Sequence, residues 1–264
     1  MKAILLILFP LLAFGQTPNC NVYLYNKDTS QYLACKSVEQ VNFYQYTRQY
    51  QEKFDKAIEI CPYFAYAYNA KSTAYLKSGD FINWKKLIDK AISLDESYLD
   101  YRAWCRFQFF RDYKGAIEDI EYLQSKHNTI NIGYSAGGEY HLIVAKAMCY
   151  SALNQKEKAI SIMLKLFSDS TYKVELYDFY QLGVTYFQVK DYENAAKYLT
   201  KQVGIYDIAE NKYYLSKIAQ IKGETDIYMN LKNEAINLYK SKKYLFDPYT
   251  EPFNKIYLST IMEE

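Results

Sequence analysis

The stretch Leu182-Gly183-Val184-Thr185-Tyr186-Phe187-Gln188-Val189-Lys190-Asp191-Tyr192-Glu193-Asn194-Ala195-Ala196-Lys197-Tyr198-Leu199 carries the pattern on which the fold turns. It reads as helix, turn, helix. Lys190-Asp191-Tyr192 makes the turn, Leu182, Gly183 and Tyr186 belong to the helix before it, and Ala195 and Leu199 to the helix after. A glycine in mid-helix costs about 1 kcal/mol relative to alanine. Gly183 is therefore expected to stand where its missing side chain lets the neighbouring helix come close.

The same phrase recurs on both sides: a turn, a polar residue, an aromatic or other side chain, then a fixed position three places on. It reads Gly79-Asp80-Phe81 with Trp84, Arg111-Asp112-Tyr113 with Ala116, Asn154-Gln155-Lys156 with Ala159, and Gly223-Glu224-Thr225 with Tyr228. From Trp84 to Ala116, Ala159, Ala195 and Tyr228 the intervals are 32, 43, 36 and 33 residues. A period near 34 residues signals stacked helical hairpins. Such arrays present surfaces and bury no chemistry by default.

At the level of individual slots the chain resembles the tetratricopeptide repeat family. Ser72, Tyr75, Gly79-Asp80-Phe81, Ala91 and Leu94 fill the family pattern in the first unit, with Trp84 in an alanine slot. Ala147, Tyr150, Asn154, Ala159, Met163 and Leu166 fill the third, and the stretch quoted above is the fourth. The fifth matches at Leu215, Ser216, Ala219, Gly223 and Ala235, with Tyr228 in a small-residue slot. The second departs at Trp104, which implies either splayed helices or a register shifted by one residue. The resemblance implies an all-α solenoid over residues 37–240, a leading helix plus about five repeats. Residues 241–264 are expected to cap its open end through Ile256, Tyr257 and Ile261 on a helix from Phe253 to Glu263.

Residues 1–15 read as a secretory signal: Lys2, an apolar run from Ala3 to Ala13, and the small-residue site Ala13-Phe14-Gly15. Cys20 follows Thr17-Pro18-Asn19, which lacks the small-residue box that lipidation needs. The expected destination is outside the cytoplasm, in a periplasm or the extracellular space, with no membrane span after cleavage. In that compartment Cys20 and Cys35 are expected to pair, worth about 3 kcal/mol for a loop of this size. The intervening residues 16–36, strand-formers around a turn-like middle, are expected to form a β-hairpin.

The 32 basic and 30 acidic residues of the 264 are interspersed, so no stripe fits a nucleic-acid backbone. Gly133-Tyr134-Ser135-Ala136-Gly137 fits a nucleophile elbow, yet it lacks a later histidine beyond His141 and any series of βα units. It is read as a long inter-repeat loop from Ser125 to Gly138. His127 and His141 are the two imidazoles, with no paired ligand spacing, so no metal and no cofactor is expected. Asp112, Asp119 and Glu121 read as a solvated helix face. The expectation is a protein that is not an enzyme.

Tyrosine is the compositional outlier, at 31 residues. Tyr75, Tyr113, Tyr150, Tyr186 and Tyr192 occupy helix-packing slots. A second set lies near the start of each first helix, on the face that lines the inner groove of such repeats: Tyr66, Asn69, Tyr98, Tyr101, His141, Tyr177, Tyr180 and Tyr213. Tyrosine brings area and a hydrogen bond at low entropic cost. These residues are expected to hold a protein or peptide partner, with a glycan or cell-wall fragment stacked on the same aromatics as the alternative.

Overall fold

The computed structural model describes residues 18–127 and 130–263; the expected signal segment lies outside them. Six antiparallel helical hairpins follow one another. They are α2 (Thr29–Val38) with α3 (Arg48–Ile60), α4 (Ala65–Ser78) with α5 (Phe81–Leu94), and α6 (Leu99–Gln108) with α7 (Tyr113–Lys126). Then come α8 (Leu142–Ala152) with α9 (Lys156–Phe167), α10 (Asp178–Gln188) with α11 (Tyr192–Val203), and α12 (Ala209–Ile221) with α13 (Thr225–Lys240). A short α1 (Asn21–Tyr25) precedes them and α14 (Leu258–Glu263) ends the chain. Each hairpin packs on the next in sequence order. The first helices of successive hairpins (α6, α8, α10 and α12) also touch one another, whereas the second helices are spread further apart. The ribbon therefore curves with its first helices inside.

The recurring phrase has a backbone cause. Its leading residue is left-handed in every hairpin from α4 onward: Gly79 (φ 75°), Arg111 (φ 55°), Asn154 (φ 60°), Lys190 (φ 64°) and Gly223 (φ 75°). The next N–H then reaches back to a helix carbonyl, as in Asp80 to Tyr75 (2.9 Å) and Asp191 to Tyr186 (3.1 Å). That satisfies an acceptor the helix end leaves open. The acid in the phrase turns its side chain forward: Asp80, Asp112 and Asp191 accept from the N–H groups of Asn83, Gly115 and Asn194. An N-cap of this kind contributes about 1 kcal/mol.

The hairpin α6–α7, the second repeat, resolves the Trp104 departure in favour of the shifted register. Its turn holds one extra residue, so the Asp112 N–H reaches Arg106, six places back, where the other hairpins reach five. The small-residue slot therefore falls on Ala103, which is fully buried. Trp104 is turned toward the inner face and stacks on Tyr140 at 5.7 Å. Gly183 behaves as expected: a Cβ there would lie 2.7 Å from Leu199 Cγ on α11.

Three expectations are corrected. The segment between Cys20 and Cys35 is helical, with no strand: Asp28 caps α2 by accepting from Gln31, and Lys27 (φ 59°) makes the turn. The disulfide itself is formed, across a Cα–Cα distance of 5.5 Å. Secondly, Asp119 is no solvated side chain. It is 5% exposed and held by Arg102 and Arg106 of α6 at 2.6 Å and 3.2 Å. Thirdly, the final helix is half its expected length. Ile261 does seal the end against Ala209, Tyr213 and Ala235, but Phe253 to Tyr257 are not helical. Pro252 and Asn254 (φ 58°) stop a helix there.

Candidate functional site: an inner groove crossed by the C-terminal segment

After α13 the chain turns at Lys242 (φ 61°) and runs back across the inner face. Apart from Tyr239 on α13, the groove residues it touches lie on first helices or their turns. Lys77 of α4 donates to the Tyr249 hydroxyl (3.1 Å), and Thr250 donates to the carbonyl of Gln108 on α6 (3.1 Å). The Arg111 guanidinium donates to the Glu251 carbonyl. Phe253 packs on Phe107 at 5.6 Å. On α10, Gln181 donates to the Phe253 carbonyl (3.5 Å) and the Tyr180 hydroxyl to the Asn254 carbonyl (2.6 Å). The Asn254 amide donates to Gln181 (2.7 Å). Finally Lys255 meets Glu210 of α12 at 2.6 Å, with Tyr239 and Tyr244 beside its ammonium at 4.8 Å and 4.1 Å. Residues 249–255 thus form a strap through the groove, held largely by side chains aimed at backbone carbonyls.

The expected site residues do not form one ladder. Tyr177 and Tyr180 lie in the half of the groove under the strap, Tyr177 between Tyr140 and Tyr206 and Tyr180 fully buried. Tyr213 is buried beneath the end cap. Tyr66 and Tyr98 line a separate cavity of about 260 Å³ with Tyr23, Tyr63, Gln31 and Asp95, between the N-terminal hairpin and α4–α5. Tyr101 lies in the packing between the first two repeats, where burial drives its phenol well above the ordinary range. Asn69 accepts from Ser72 at its backbone carbonyl, while its own buried Oδ1 has no partner.

His141 is structural. It caps α8 by accepting at Nδ1 from Ile143 (3.1 Å) and is bonded to the backbone at Ile130. Rings of Tyr134 and Tyr172 enclose it at 5.0 Å and 5.5 Å. Burial holds its pKa down at about 4. Ser135 donates to Glu139 (2.9 Å) and is not paired with His141. The loop around it is pinned by an isolated bridge between Tyr134 and His141 and by buried Ile132 and Tyr140. Among the described residues no three His, Cys, Asp or Glu gather as a metal site.

Nearby Asp178 is buried too. Burial raises it to about 6, against the Tyr172 hydroxyl (2.6 Å) and the Glu175 N–H (2.7 Å) that favour its charge. The two groups act in opposite senses on stability. His141 is depressed, so its contribution is present above the unfolded value near 6.5 and is lost as pH falls toward 4. Asp178 is raised, so its contribution is present below the unfolded value near 3.8 and is lost as pH rises through 6. Comparison with His141→Asn, which keeps a capping acceptor, isolates the first. Between pH 7 and 4 the wild type is expected to lose about 2–3 kcal/mol more than the variant. Urea unfolding at both pH values measures it, and parallel losses would contradict it.

Sequence reasoning missed Lys77, Gln108, Arg111, Gln181 and Glu210, because what gives them a role is the strap. The one available signal was Asp247-Pro248-Tyr249-Thr250-Glu251-Pro252, whose two prolines exclude a helix.

The fold and its inner groove define a class: a solenoid of helical hairpins with a non-helical segment lying across its first helices. The tetratricopeptide repeat family matches residues 65–98, 140–168 and 179–207. These are the first, third and fourth repeats, and the second, with its extra turn residue, falls outside them. The chain thus carries tetratricopeptide repeats at those residues, and its fold is tetratricopeptide-repeat-like. Two solved structures share the fold. One is that of PilW, described as a widely conserved type IV pilus biogenesis factor: TM-score 0.57, 13% identity, over 85% of this chain and 92% of that one. The other is Pseudomonas aeruginosa pilF: TM-score 0.57, 14% identity, over 83% of this chain and 94% of that one. No curated protein sequence matches the chain. Among the described residues no helix is long and apolar enough to cross a membrane.

Proposed function

We propose that the inner face, from α4 to α12, binds a non-helical segment of a protein partner outside the cytoplasm. The observation that carries this reading is the strap. The groove already holds a non-helical chain, turned at Phe253-Asn254, through Arg111, Tyr180 and Gln181, all donating to backbone carbonyls. Groups that read a backbone suit a peptide, which presents a carbonyl at every residue. Tyr177 and Tyr180 supply the aromatic floor of this half. The Cys20–Cys35 disulfide and the apolar leader of the sequence support an oxidising compartment.

Photo-crosslinking in the native cell tests it. A benzophenone side chain placed at exposed Gln188, on the groove rim, is expected to give a discrete protein adduct. The same group at exposed Glu157, on the second helix α9, is expected to give none. Adducts of equal yield at both positions would defeat the groove.

A glycan-binding reading has one observation in its favour, the cavity that Tyr23, Tyr63, Tyr66 and Tyr98 share with Gln31 and Asp95. Stacking faces with an amide and a carboxylate are what a sugar ring uses. A glycan array probed with wild type and Tyr98→Ala tests that site apart from the groove.

A further inference from the structure

We infer that the strap is a built-in surrogate for the partner: the groove selects a non-helical segment carrying an aromatic residue, an amide and a lysine in succession, and Phe253-Asn254-Lys255 occupies that site in cis. This rests on the groove reading above and adds the chemistry of the ligand.

The lysine position is the most specific. Glu210 is fully buried, and its side chain and that of Lys255 are 0% and 5% exposed. Burial raises the carboxyl of Glu210, and Lys255 opposes the shift. A buried ion pair is a poor way to gain stability, since desolvation cancels most of the attraction. It is an effective way to admit one side chain and refuse others. Tyr239 and Tyr244 complete the socket around the ammonium. One carboxylate oxygen of Glu210 takes both Lys255 and the Leu245 N–H, while the other is buried without a partner.

The neighbouring positions are less exacting. The aromatic of Phe253 lies against Phe107, and the Asn254 amide meets Gln181. Asn254 is held at φ 58°, a conformation that costs a residue other than glycine about 1 kcal/mol or more. The strap is thus an imperfect occupant of its own groove.

Its ends are anchored independently of its middle. Leu245 and Ile261 are buried on either side, at 2% and 1% exposure, while Phe246, Tyr249 and Tyr257 between them are 71%, 50% and 47% exposed. A tethered loop of this kind can leave the groove with its ends in place. While seated it competes at an effective concentration of about millimolar.

The test uses the full chain and a fluorescein-labelled peptide of residues 247–257. Phe253→Ala with Asn254→Ala loosens the strap and leaves the groove residues intact. Fluorescence anisotropy is expected to show this variant binding the peptide about tenfold or more tightly than wild type. A peptide with methionine at the lysine position is expected to bind about tenfold or more weakly. Equal affinity for wild type and variant, or equal affinity for the two peptides, overturns the inference. So does absence of binding by a variant that retains its helical circular dichroism. If the variant loses that signal, wild type decides by hydrogen exchange. Excess peptide is expected to accelerate exchange of the strap amides, and unchanged exchange overturns the inference. Peptide binding without a Gln188 adduct in cells would remove the proposed function and leave the groove chemistry. An adduct whose yield is indifferent to the loosened strap would do the reverse.

Discussion

Asp119→Ala is expected to destabilise the protein by about 2–4 kcal/mol, somewhat less than the cost of leaving a buried charge wholly unpaired. Arg102 reaches both oxygens of Asp119, at 2.6 Å and 2.9 Å, and Arg106 reaches one at 3.2 Å. Arg102 also binds Asp89 of α5 at 2.6 Å, so the network joins the hairpin α4–α5 to the hairpin α6–α7. With Asp119 gone, Arg102 keeps Asp89, and Arg106 keeps the Gly115 carbonyl (2.8 Å) and a longer approach to Asp112 (3.5 Å), so each guanidinium retains one carboxylate, but only a partly exposed one. Asp119→Asn retains an acceptor and is expected to lose less. Urea unfolding measures both. A cost below about 1 kcal/mol for the alanine variant, the range of an exposed pair, would show that the network is solvated.

Trp84→Ala makes the opposite-looking change, because it restores the residue that Ala116, Ala159 and Ala195 place in the same slot. Those three are fully buried, as Trp84 is. By pattern alone the substitution is an improvement. By packing it is a large loss, since the indole fills the space against Phe81 at 5.8 Å and Phe110 at 4.8 Å. Removing a buried tryptophan costs about 3–5 kcal/mol. The buried indole N–H has no partner, and shedding it returns part of that. We expect a net loss near 3 kcal/mol, or about 6–12 °C in Tm for a chain of this size. Because repeat arrays couple mainly to nearest neighbours, hydrogen exchange should rise in α4–α7 and stay level in α10–α13. A uniform rise would mean the array unfolds as one body.

The repeat phrase was legible because each of its features answers a local demand: a left-handed residue to end one helix, an acceptor to begin the next, and a small side chain where two helices cross. The hairpin α6–α7 shows the limit. One inserted residue moved the small slot to Ala103, and Arg106 with Asp119 then formed a charged core that a charge pattern reads as surface. The groove tyrosines show it again. Tyr66 and Tyr180 look equivalent by slot, but one lines a cavity near the N-terminus and the other is sealed beneath the strap. Slot position tells which helix face a side chain occupies; it does not tell what covers that face.

Helices, turns, repeat order and the Cys20–Cys35 pairing follow from the chain's own residues, since each depends on neighbours within one or two turns or on a short loop. The helical conformation of the disulfide segment, the Arg102–Asp119–Arg106 network and the path of residues 249–255 were decided only in three dimensions. Each unites residues far apart in the chain through burial and charge, quantities that a local pattern does not contain.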